Sequence, residues 1–275
     1  RRGLCAPGPD HDDAVTWRRV FNDSGSGFHG VTYGGGKYVA VGNYGLIATS
    51  VDGESWSSFF PNGISMLNVL HTGSLFVAVG VDETNGNIVI NTSPDGLTWT
   101  TRINAFHSYA ALRGLAQNGS TLVAVGGDTG SLASSNKLAY SNDGGLTWTI
   151  GSLLASTTGN IGFNNVAYVN GKFVAVGTGA TIATSTDGIN WGPATSGETF
   201  LGFVGVGGNG ATTYVTSGGG VILSSTDNVT FARSMSPPFS TAGGVANPAI
   251  LPLRSINAYL YAVGAVNSSP SGLFL

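Results

Sequence analysis

Short apolar runs separated by polar turns recur along the whole chain. The segment from Asn165 to Trp191, NVAYVNGKFVAVGTGATIATSTDGINW, shows the unit most clearly. NVAY reads as a first strand and NGK as a tight turn. FVAVG reads as a second strand in which Phe173, Ala175 and Gly177 alternate with Val174 and Val176, the period of two expected of a half-buried strand. A TGA loop leads to a third strand, TIATS, and Ser185-Thr186-Asp187-Gly188 turns into a fourth that opens at Trp191. The pattern predicts a four-stranded antiparallel meander. A sheet this small cannot cover both of its own faces, so it requires neighbours of the same kind.

Those neighbours are present. VTYGGGKYVAVGNYGLIATSVDGESW runs from Val31 to Trp56, NVLHTGSLFVAVG leads to SPDGLTW ending at Trp99, and GLAQNGSTLVAVG leads to SNDGGLTW ending at Trp148. A weaker copy, TTYVTSGGGVILSSTDNVTF, carries Phe231 where the others have Trp. The landmark aromatics fall at 17, 56, 99, 148, 191 and 231, and all five tryptophans of the chain occupy this one position. The N-terminal DAVTWRRV (Asp13 to Val20) supplies only a fourth strand, whereas NAYLYAVG (Asn257 to Gly264) and GLFL (Gly272 to Leu275) supply a second and third with no fourth. The expected fold is therefore all-β: a six-bladed β-propeller of four-stranded antiparallel blades, closed by the N-terminal strand completing the last blade. Closure of this kind removes open sheet edges. Residues 1–12 are expected to form an irregular tail and residues 13–275 a single domain.

Composition narrows the functional classes. Charged residues make up 9% of the chain and Gly accounts for 44 positions, against roughly a quarter charged in ordinary soluble proteins. Apolar runs are broken every five or six residues, far short of the roughly 20 needed to span a bilayer, so no membrane insertion is expected. A net charge of −3 with 11 Lys plus Arg spread thinly disfavours nucleic acid as a partner. The single Cys5 lies outside every repeat and reads either as a free thiol or as a tether to another chain. The Arg-Arg start without Met fits a processed product.

SNDGGLTW (Ser141 to Trp148) matches the pattern S-x-D-x-G-x-T-W, and SVDGESW, SPDGLTW, STDGINW and STDNVTF are one residue shorter between Asp and the aromatic. Together with the repeated FVAVG strand, these segments resemble the Asp-box, or BNR-type, β-propellers. That group includes sialidase-like propellers, the photosystem II assembly factor family and sortilin-like receptors. The local chemistry accounts for the motif. An Asp carboxylate accepts backbone N–H groups across its own turn, Gly supplies the positive φ, and Trp packs while its indole N–H finds a carbonyl. Asp52, Trp56, Asp95, Trp99, Asp143, Trp148, Asp187, Trp191 and Asp227 are therefore expected to be structural. Each turn offers one carboxylate, too few for a calcium site, and no metal or other cofactor is expected.

The sialidase resemblance implies an arginine triad, a Tyr–Glu nucleophile and an acid Asp. The early Arg-Ile-Pro motif of that family is absent, and only Glu54, Glu83 and Glu198 exist as glutamates. His11, His29, His71 and His107 sit singly in different copies, without metal or triad spacing. The expectation is a protein without enzymatic activity. Recognition is expected on the loops between second and third strands and between repeats, which vary in length where the hairpins GGGK, TGS, NGS and NGK do not. Thirteen residues before the Gly ending VAVG stand His29, Leu67, Arg113 and Asn164, and one residue later Gly30, Asn68, Gly114 and Asn165. These positions enter the innermost strands. With His107 of AFHSY, the candidate ligand-binding residues are His29, Asn68, His107, Arg113, Asn164 and Asn165. The function expected is a recognition or adhesion module for a glycan or surface protein, extracellular or on a cell or virion surface. A structural subunit of a larger assembly and an atypical glycoside hydrolase are the alternatives.

Overall fold

A computed structural model describes residues 4–7, 17–21, 27–61, 63–106, 110–128, 137–151, 162–199, 201–218, 220–235, 249–250, 254–256, 259–265 and 273–274. Two strands open the chain, β1 (Leu4–Pro7) and β2 (Trp17–Phe21), paired antiparallel with each other. The first repeat forms β3 (Phe28–Gly34), β4 (Lys37–Gly42), β5 (Ile47–Ser50) and β6 (Ser57–Phe59). The second forms β7 (Ser65–His71), β8 (Phe76–Asp82), β9 (Asn87–Ser93) and β10 (Thr100–Phe106). The third forms β11 (Ala110–Asn118), β12 (Thr121–Asp128), β13 (Lys137–Ser141) and β14 (Thr149–Gly151). The fourth forms β15 (Phe163–Val169), β16 (Lys172–Gly177), β17 (Ile182–Ser185) and β18 (Gly192–Ala194). The fifth forms β19 (Phe203–Gly208), β20 (Thr213–Ser217), β21 (Ile222–Ser225) and β22 (Ala232–Met235). Each repeat is one four-stranded antiparallel meander in chain order. The last strands are β23 (Ala249–Ile250), β24 (Arg254–Ile256), β25 (Tyr259–Ala265) and β26 (Leu273–Phe274), the other three all pairing with β25. Among the described pairings, β2 has β1 as its partner; a pairing with the last sheet, which the sequence suggests, is not among them.

The chain divides into two compact units, residues 1–112 with 142–148, and residues 113–141 with 149–275. In the first unit, Val39, Val41 and Ile47 of the first sheet pack against Met66, Val69, Phe76, Ala78 and Val89 of the second. In the second unit, Val123, Val125 and Leu138 meet Phe163, Val166, Phe173 and Ala175. There Val174, Val176 and Ile182 meet Phe203, Val206, Val215 and Leu223 of the fifth sheet. The FVAVG strand is consequently buried on both faces rather than half-buried. Its alternation divides side chains between two neighbours: Phe173 and Ala175 toward one sheet, Val174 and Val176 toward another. Full burial of Phe173 alone is worth about 2–3 kcal/mol.

The glycine ending VAVG has a separate cause. Register slips in the first strand of the pair between Phe28 and Gly30, Met66 and Asn68, Phe163 and Asn165, and Phe203 and Gly205. Such a bulge kinks the strand and presses the chain onto its partner. A Cβ on Gly42, Gly80 or Gly177 would overlap the carbonyl oxygen of Gly27, Ser65 or Gly162, respectively.

Candidate functional site

The bulges give the predicted column of polar residues its geometry, because the residue at each slip is His29, Leu67, Asn164 or Val204. An unpaired bulge residue is re-aimed away from the ladder. His29 is exposed, and its Nε2 lies 2.6 Å from Asn43 Oδ1 in the loop after β4. Asn164 donates from Nδ2 to the Phe203 carbonyl at 2.8 Å and so ties the fourth sheet to the fifth. Half-buried Arg113 donates to the Gly127 carbonyl at 3.2 Å. Asn68 and Asn165 accept the N–H of the next residue, Val69 at 2.9 Å and Val166 at 2.8 Å. Their backbones also lie against a neighbouring first strand. A Cβ on Gly30 would stand 3.2 Å from Asn68 Cα, and one on Gly114 would stand 2.9 Å from Asn165 Cα. His29 and Asn68 belong to one unit and Arg113, Asn164 and Asn165 to the other; His107 lies outside the described residues.

At the opposite end of each sheet the Asp turns repeat one pattern. Asp52 Oδ1 accepts the N–H groups of Glu54 and Ser55 at 2.8 and 2.7 Å and the Ser50 hydroxyl at 2.8 Å. Trp56 Nε1 donates to the Gly53 carbonyl at 2.9 Å. Asp95 and Asp187 take equivalent bonds from Leu97 and Thr98 and from Ile189 and Asn190. In the longer box, Asp143 accepts from Leu146 and Thr147, and Trp148 donates to Gly145. These N–H donors favour the ionised form. Thr98 and Leu97 hold Asp95, and Thr230 and Val229 hold Asp227, at about 2; Asp52 and Asp187 lie lower still. Because each folded value is depressed, the turns' contribution is complete above the unfolded value near 3.8 and is lost as pH falls through the folded one.

Two further carboxyls are also engaged. Asp82 accepts from Asn85 Nδ2 at 2.7 Å and from the N–H groups of Thr84 and Asn85, which lowers its pKa. Glu198 forms a bidentate pair with Arg233 at 2.7 and 3.0 Å, which lowers its pKa too. Among the described residues, no group of three or more His, Cys, Asp or Glu is placed to hold a metal ion.

Several contacts left little trace in the sequence. Lys37 of the GGGK hairpin donates to the Asp95 carbonyl at 3.0 Å, and Lys172 of NGK donates to the Asp227 carbonyl at 3.2 Å. Asn170 Nδ2 reaches the Thr226 carbonyl at 2.7 Å. Two of the hairpins that look monotonous thus latch a sheet to the Asp turn of the next. The recurrence of Lys just after the Gly turn in the first and fourth copies was the only clue.

Five four-stranded meanders with Asp-containing turns are consistent with a β-propeller, and the comparison with solved structures supports that class. A structure of YCF48 bound to D1 peptide aligns with a TM-score of 0.67 at 18% identity, over 92% of this chain and 80% of that one. YCF48 from Cyanidioschyzon merolae aligns with a TM-score of 0.65 at 15% identity, over 91% and 83%. Virginiamycin B lyase from Staphylococcus aureus aligns with a TM-score of 0.65 at 11% identity, over 90% and 83%. Identities this low show a shared fold alone. No protein-family model matches the chain, and no curated protein matches it.

Proposed function

We propose that this protein is a recognition module without enzymatic activity, which holds a protein segment or a glycan on the loops between second and third strands. The observation that carries the non-catalytic part is the state of the carboxyls. Asp52, Asp82, Asp95, Asp187, Asp227 and Glu198 are all held below their ordinary values as hydrogen-bond acceptors. A general acid requires the opposite shift. Glu198, one of the two glutamates on which a glycosidase reading could draw beside Glu83, is engaged by Arg233 instead. The likeness to YCF48 bound to D1 peptide favours a protein segment. The low charge of the chain, 9%, favours a neutral ligand and keeps a glycan as the second reading.

The proposal extends to an extracellular or surface location, where the module acts alone or as a subunit of a larger assembly. It also extends to six blades with Trp17–Phe21 completing the last, on the spacing of the landmark aromatics. Removing residues 1–21 then lowers the melting temperature sharply; unchanged melting argues against closure. Binding itself is tested by probing the purified protein with a peptide array and a printed glycan array, with His29→Ala/Arg113→Ala as the control. Specific binding weakened in the control supports the reading, and binding to neither array overturns it.

A further inference from the structure

The loop between β4 and β5 keeps the backbone course of its counterpart between β16 and β17 but shares only its opening glycine: Asn43-Tyr44-Gly45-Leu46 stands where the fourth repeat has Thr178-Gly179-Ala180-Thr181. In the first repeat the Gly42 N–H donates to the Leu46 carbonyl at 2.8 Å, and in the fourth the Gly177 N–H donates to the Thr181 carbonyl at 3.0 Å. The same five-residue loop is thereby closed in both. Its third and fourth residues are left-handed each time, Gly179 at φ 64° and Ala180 at φ 57° in the fourth repeat, Tyr44 at φ 54° and Gly45 at φ 81° in the first, so that the bulky side chain falls on the third position only in the first. Glycine takes this conformation freely, whereas a Cβ with a bulky ring strains it. Packing does not offset that strain, because Tyr44 is 59% exposed. Strained residues of this kind concentrate at ligand-contacting sites.

The surroundings fit such a site. The Tyr44 N–H donates to the Oγ of buried Ser65 at 3.0 Å, fixing the backbone from which the ring projects. Asn43 precedes it, with its amide against the imidazole of exposed His29 at 2.6 Å. The Asn43 N–H is engaged by the Gly27 carbonyl and the Leu46 N–H by the Asn43 carbonyl, both at 3.0 Å. The N–H groups of Gly42, Asn43, Tyr44 and Leu46 are therefore occupied. An extended peptide finds few free main-chain donors here, and the side chains offered are the exposed Tyr44 ring, the exposed His29 imidazole and the partly exposed Asn43 amide.

We propose that Tyr44, His29 and Asn43 form a saccharide-binding subsite. The Tyr44 ring stacks on the C–H face of a neutral pyranose, and the Asn43 amide and His29 imidazole bind adjacent hydroxyls. This subsite rests on the recognition reading of the same loop face and takes up its second ligand, the glycan.

The test compares wild type, Tyr44→Gly and Tyr44→Phe on a printed array of neutral glycans, with thermal melts of each. Tyr44→Gly is expected to melt above wild type, because the strain is relieved, while its glycan binding falls at least tenfold; Tyr44→Phe retains binding. Unchanged glycan binding by Tyr44→Gly overturns the subsite, and so does a lower melting temperature for that variant, which marks the ring as structural. A wild type that ignores every glycan but binds a peptide array overturns the subsite and leaves the recognition reading standing. Binding to neither array removes both.

Discussion

The fourth and fifth repeats share a fold and differ in almost everything that fills it. Phe173 pairs with Ser185 in one, and Thr213 pairs with Ser225 in the other, so the two sheets are in the same register. Phe173-Val174-Ala175-Val176-Gly177 of the fourth becomes Thr213-Tyr214-Val215-Thr216-Ser217 in the fifth. Both threonines are fully buried, and neither hydroxyl has a hydrogen-bond partner. At the Asp turn, Gly188 at φ 77° is replaced by Asn228 at φ 57°, and Trp191 by Phe231. Asn228 compensates by donating to the Val169 carbonyl at 2.9 Å, and Asp227 still accepts the N–H groups of Val229 and Thr230. Features set by the backbone survive drift: register, the acceptor Asp and the left-handed turn residue. Side-chain packing is where the copy has decayed.

The sharpest way to break this contrast is at the large core position. Phe173→Ala is expected to cost about 3–5 kcal/mol, and Thr213→Ala about 1 kcal/mol, since it removes one buried methyl and a hydroxyl that bonds to nothing. Urea unfolding of both variants reads the difference, and equal losses would show that the two cores are equally well packed. Next comes the end of the same strand. In Gly177→Ala the added methyl meets the Gly162 carbonyl, for an expected loss of about 1–3 kcal/mol. Ser217→Ala loses only the bond from the Val221 N–H at 3.0 Å, about 1 kcal/mol. If thermal melts rank these two the other way, close backbone approach is not what selects the glycine. The smallest effect has the opposite sign. Thr216→Val restores the apolar residue of the fourth copy and is expected to raise stability by about 1 kcal/mol; a decrease would reveal a partner for the hydroxyl.

The strands and Asp turns were readable in the sequence because their signals are local. A period of two, a Gly after Asp and a recurring Trp each report on a few adjacent residues. Even so, Trp191 precedes its strand, which begins at Gly192, and FVAVG is enclosed on both faces. Period alone does not say whether one face or two will be covered. The polar column was visible as an alignment, but not its bulges, because the slip at His29 or Asn164 is a property of two paired strands. Tyr44 gave no signal at all: left-handed backbone is advertised by Gly and Asn, and a tyrosine there is seen only in three dimensions. The reach of Lys37 and Lys172 to another repeat was hidden for the same reason. The pairing of Trp17–Phe21 with Leu4–Pro7 had no repeat-based signal either.

Those two lysines end on main-chain carbonyls, those of Asp95 and Asp227, not on side chains. A carbonyl is offered by every residue type, so each latch is indifferent to substitution in the copy it holds. A duplicated repeat inserted beside such a hairpin would be gripped at once, and its sequence would then be free to diverge. At these two joints the copies can specialise in sequence without renegotiating the contact between them.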